Sequence, residues 1–199
     1  MTKRDMRFCT IASVLLLSTG AVGAGGPAAP GGPEPAADHP QYTSEKELIR
    51  PEYREWIFLS SGLGMSYNPA RGGEPKFTNV FVPRWAYAEF VRSGKWPAQT
   101  MLVVEDRLSA TQGSINKAGH FQTDLASIGV EVKDEGRFPD KWAYFSFDAK
   151  TQSAKARLKS ACWQCHEDHA AVEHTFVQFY PTLKPVAEKL GTYHAKDQD

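Results

Sequence analysis

Cys162-Trp163-Gln164-Cys165-His166 sets two thiols and an imidazole side by side in a C-x-x-C-H pattern. On a helical turn the two cysteines share one face. Each thiol can then form a thioether with one vinyl group of a haem, and the adjacent histidine is held where it can ligate the iron. The chemistry predicted is one covalently attached haem c per chain. Cys162 and Cys165 are its attachment points and His166 its iron ligand. Two other uses of these residue types fit less well. Cys162, Cys165, His169 and His174 have zinc-like identities, but the pairs stand too close together for a zinc finger. A redox C-x-x-C requires a βαβ context, which the surrounding sequence lacks.

Haem c attachment predicts export, and the N-terminus reads accordingly. Lys3, Arg4 and Arg7 precede a short apolar run, Ile11 to Leu17, and then small residues around Val22-Gly23-Ala24. That run is too short to span a bilayer. Residues 1–24 read as a secretory signal peptide cleaved near Ala24, which makes the protein periplasmic. Cys9, the third cysteine, leaves with it. Loss of the basic start takes the net charge from zero to about −2, and nothing in that balance points to nucleic acid or an anionic membrane surface as a partner. Residues 25–41 are rich in Gly, Pro and Ala and read as a tether that need not pack. Residues 42–199 suit one domain.

The elements that must position the motif follow from periodicity and breakers. Strands are predicted over Glu55–Leu59, Thr78–Val82, Thr100–Leu108, His120–Lys133 and Trp142–Phe147, with Gly129 as a bulge. A helix starts at Pro83 and ends at Ser93-Gly94, with Trp85, Ala86 and Phe90 on one face. The composition turns helical from Ser153 into the cysteine motif. Pro185 and Gly191 bracket a last helix. Strands at hairpin spacing followed by helices give an α+β domain: a mainly antiparallel sheet and a C-terminal haem-binding helix. No methionine follows His166. A sixth iron ligand for plain electron transfer would have to come from Met65 or Met101.

The order of sheet, then haem motif, resembles the cytochrome P-460 family. Tyr53-Arg54-Glu55-Trp56 is similar to that family's Y-R-E-W opening. Gly94-Lys95-Trp96-Pro97 with Thr100 resembles its G-x-F-P-x-G-T turn, with Gln99 in place of the glycine. Gly129 to Asp134 with Arg137-Phe138 resembles its V-K-D…R-F segment, and Trp142 to Phe147 the strand before the haem. Phe176-Val177-Gln178-Phe179-Tyr180-Pro181 resembles its F-x-Q-F-Y-P close.

The resemblance implies a homodimer with one haem per subunit, open on one face to small molecules. Within the family, P-460 enzymes oxidise hydroxylamine and carry a lysine bonded to the haem ring. The related cytochromes c′-beta lack that bond and bind nitric oxide. The lysine lies in a T-V-x-V-K-E stretch, matched here by Thr100-Met101-Leu102-Val103-Val104-Glu105. Val104 occupies the lysine position and has no amine. Lys117, in the following turn, is the one substitute considered. The resemblance also puts a proton-accepting carboxylate in the stretch after the haem motif, which here is Glu173. Binding of nitric oxide or another small nitrogen oxide is the first expectation. Haem-catalysed oxidation of hydroxylamine or nitric oxide is the second, and electron transfer with a redox partner cytochrome the third.

Overall fold

The structure, a computed structural model, describes residues 38–66 and 73–195. The predicted signal peptide and most of the predicted tether lie outside the described residues. The end of that tether is packed. The Trp56 indole donates to the Asp38 carboxylate at 2.8 Å, and His39 stacks on Trp85 with ring centroids 4.6 Å apart.

A short strand, β1 (Leu48–Ile49), opens the fold. An antiparallel meander follows: β2 (Ile57–Leu63), β3 (Phe77–Val82), helix α1 (Arg84–Ser93), β4 (Met101–Ala110), β5 (Phe121–Lys133) and β6 (Trp142–Phe147). Its strands lie side by side in chain order. β7 (Ser153–Ala154) pairs back with β1. Helix α2 (Ala161–His169), a 3-10 turn (Val177–Phe179) and helix α3 (Lys184–Lys189) complete the chain. The α+β expectation, with mainly antiparallel sheet, is met.

Both faces of the meander are covered, so alternate residues of one strand serve two cores. Leu102, Trp142 and Tyr144 pack with Val80, Val82 and the helical segments around Phe90, Val177 and Leu183. Met101, Val103, Val130, Val132 and Phe145 pack on the other side with Leu48, Tyr53 and Trp56. This is why Met101 to Glu105 shows no simple apolar-polar alternation.

The registers decide what stands over the helical face. Val80 pairs with Val104, Val104 with Gly129, and Gly129 with Ser146. One row along, Leu102 pairs with Glu131 and Glu131 with Tyr144. Gly129 is therefore in register and is not the predicted bulge. The register shifts lie further along the same strand, between Ser127 and Gln122, where β5 carries extra residues opposite Asp106 to Ser109 of β4. The predicted helical start at Ser153 is also corrected. Ser153 and Ala154 are extended because they pair with Ile49 and Leu48, and the Ser153 hydroxyl donates to Glu47 at 2.6 Å. Tertiary pairing outweighs the modest helix preference of an alanine-containing run.

Helix α1 begins after Pro83, as predicted, and ends where Gly94 takes a left-handed φ of 73°. Helix α2 is capped by Ser160, whose hydroxyl accepts from the Trp163 amide. That cap fixes the first turn of α2 and so sets where both thiols and His166 point.

Candidate haem site

His166 is the buried residue of α2. Its Nδ1 lies 2.6 Å from the carbonyl oxygen of His174, so it is protonated and donates there. The lone pair is then left on Nε2, the tautomer a metal requires. The ring is wedged between Tyr144 and Phe176, with centroids 4.7 and 4.4 Å away. Nε2 is 3.5 Å from a Glu131 oxygen.

Both groups line a cavity of about 400 Å³. Ser60, Gly62, Thr78, Val80 and Val104 form its sheet wall, and Phe176, Phe179 and Tyr180 stand opposite. Cys162 and Cys165 are half-buried, not joined in a disulfide, and lie on the helix that carries His166. The second Glu131 oxygen and the Tyr144 hydroxyl are buried without a hydrogen-bond partner among the described residues. Burial raises the pKa of Glu131, an effect that the nearby His166 opposes. An imidazole in the wall of a largely apolar cavity, two thiols on its helix and an unpaired Glu131 oxygen in that wall fit an iron porphyrin. The fit is poor for a closed zinc site: among the described residues no group of three or more His, Cys, Asp or Glu side chains is placed to hold an ion.

The sequence profile described as Cytochrome P460 matches residues 50–177. The chain belongs to the cytochrome P460 family. None of the curated proteins compared with it matches. As a member, it is a haem cytochrome, and the C-x-x-C-H helix is the element that suits it to a c-type one.

Against the cytochrome P460 pattern, the predicted residues fall into two groups. Cys162, Cys165, His166 and Val104 belong to one locality, with Val104 in the cavity wall. Glu173 lies outside that locality and does not line the cavity that holds Val104 and Glu131. One of its oxygens accepts from the Trp96 amide at 2.8 Å and the other faces the Lys133 ammonium at 3.1 Å. With His166 and His174, Glu173 lines a second cavity, apart from the one that holds Val104 and Glu131. The carboxyl that does line the first cavity is Glu131.

The exposed Lys117 sits in the hairpin between β4 and β5, several residue pairs along the ladder from Val104. At about 3.3 Å per residue, a lysine side chain cannot close that gap within one chain. His120 is at the same far end, near Ser109. Of the two methionines considered as ligands, Met101 is buried on the opposite face of the sheet, while Met65 lines the cavity. Among the described residues no helix is long and apolar enough to cross a membrane.

Proposed function

We propose that the chain is an exported, periplasmic cytochrome with one haem c, ligated by His166 and open on its other face to nitric oxide or a similar small nitrogen oxide. The observation that carries this reading is the pairing of His166 with a largely apolar cavity in which position 104 is valine. When bound, the haem would supply an iron with one exchangeable coordination position. The chain's residues do the rest. Cys162 and Cys165 would anchor the ring's edge. The Tyr144 and Phe176 rings hold the imidazole in one plane. Val80 and Val104 keep the wall apolar, which favours a neutral diatomic over a polar amine. A homodimer and a redox partner cytochrome accompany the reading as family expectations.

Position 104 gives the test. Ferrous wild-type protein should bind carbon monoxide and nitric oxide readily and show the ordinary optical bands of a five-coordinate haem c. Val104→Lys should add an amine to the cavity wall and generate a second haem-linked peptide with a red-shifted Soret band. A wild-type spectrum that is low-spin and resists both gases would overturn the reading and favour Met65 as a sixth ligand.

Glu131 favours a second reading, oxidation of hydroxylamine. That reaction releases protons, and a carboxylate in the cavity beside His166 is in the right place to accept one. If this is the activity, purified protein should turn over hydroxylamine with an electron acceptor. Glu131→Gln should then lower kcat by about 10²-fold or more, the usual share of a positioned acid-base group. Equal rates in the two proteins would exclude Glu131 from that role.

A further inference from the structure

Glu173 has a different task. Val172 and Thr175 exchange backbone hydrogen bonds of 3.3 and 2.7 Å across a two-residue turn. Its central residues, Glu173 and His174, both have positive φ, 44° and 65°. A turn of this hand normally carries Asn and Gly, and a side chain with a Cβ there costs free energy. Such a conformation persists only where its surroundings over-determine it. Here they do. Glu173, Lys133 and Trp96 form a closed ring: the Trp96 amide donates to Glu173, Lys133 faces Glu173, and Lys133 donates to the Trp96 carbonyl at 2.6 Å. The Trp96 indole donates to Thr175 at 2.8 Å, and the Thr175 hydroxyl to the Val172 carbonyl at 2.6 Å. Trp96 is 2% exposed, Lys133 7% and Thr175 fully buried. All of this holds one functional atom in place, the carbonyl oxygen of His174 that accepts from His166 Nδ1.

We propose that Glu173, clamped by Lys133 and Trp96, is a positioning residue that fixes the His174 carbonyl against His166 and thereby sets the donor strength of the iron's histidine ligand. This rests on the reading of His166 as that ligand. An imidazole whose Nδ1–H is held in a short hydrogen bond is a stronger donor through Nε2. A stronger donor favours ferric over ferrous iron, and hydrogen bonding behind the ligand is one of the levers a protein has on haem potential. Glu173, Lys133, Trp96 and Thr175 do not line the cavity that holds Val104 and Glu131, and the ring reaches His166 through the His174 carbonyl.

The test is made on the haem-loaded protein. Resonance Raman of the ferrous form reads the iron–histidine stretch, and a redox titration reads the potential. Glu173→Asn keeps a residue that tolerates the left-handed turn but is too short to reach Trp96 and Lys133. It should lower the stretching frequency and shift the ferric-to-ferrous balance toward ferrous by on the order of tenfold, about 59 mV for one electron. Lys133→Gln should shift both in the same direction. Glu173→Gln, which retains an acceptor for the Trp96 amide, should recover much of the wild-type values. Variants that melt at lower temperature but keep the wild-type frequency and potential would overturn the proposal, since Glu173 would then be structural only. A wild-type protein lacking any iron–histidine stretch would instead remove the His166 reading, and this inference with it.

Discussion

Exchange of both Cys162 and Cys165 for alanine should leave no haem on the denatured chain. The wild-type chain should keep one haem through denaturing gels and acidified acetone. The difference is chemical in kind. An imidazole–iron bond breaks when acid protonates His166, whereas a thioether carbon–sulfur bond does not. Neither thiol is in a disulfide, and both are half-buried on α2, a helix whose start the Ser160 cap fixes. Intact mass should equal the processed chain plus one haem. Proteolysis should leave haem on the peptide spanning Cys162 to His166 alone. A second haem-bearing peptide, one containing Lys117 above all, would show a cross-link that Val104 cannot make. Haem that extracts freely from the wild-type protein would refute covalent attachment.

The cysteine motif was legible because its chemistry is local: five consecutive residues carry it. The strands were legible for a similar reason, with Trp142 to Phe147 predicted to the residue. Glu131 was not. Val130-Glu131-Val132 reads as ordinary alternation, whose polar member normally meets water. Here both faces of the sheet are covered, so the polar member is 7% exposed and meets the cavity. A signal was present. The pairing of β5 between two other strands, each apolar on both faces, leaves no wet face for a glutamate. Glu173 is a different case. The family resemblance puts a carboxylate in this stretch, but Glu173 and His174 both take a left-handed φ, and the Glu173 side chain accepts from the Trp96 amide. Nothing in Glu-His announces such a turn, since residues that favour it are absent.

Glu105→Gln should be among the most destabilising single substitutions in the sheet, with no change at the haem site. Glu105 follows Val104, so it faces the opposite side of β4 from the cavity. Its side chain is 2% exposed. Arg107 lies 2.6 Å from one oxygen, and the Tyr53 hydroxyl donates to the other at 2.5 Å. Arg54 and Asn79 complete the set. Burial alone would raise the pKa of this carboxyl, but Arg107, Tyr53 and Arg54 outweigh it and hold the group at about 2, against 4.5 as the ordinary value. Burial, and after it the contact with Glu105, raises the pKa of Tyr53, while Arg54 and Arg107 oppose the shift. A carboxyl whose pKa falls on folding stabilises the fold fully above about pH 4.5 and loses that contribution as pH drops toward about 2. At about 1.4 kcal/mol per unit, and discounting the half-exposed Arg54 for solvent screening, the ionised group contributes about 2–3 kcal/mol. In a domain of this size that is roughly 5–10 °C in Tm. Thermal melts of wild type and Glu105→Gln should therefore differ most near neutrality. The two curves should converge below about pH 3, where the wild-type carboxylate is itself becoming protonated. A gap in Tm that stays constant from pH 7 to pH 3 would show that Glu105 acts by shape and packing, and that its charge contributes nothing to holding Tyr53, Arg54 and Arg107 together.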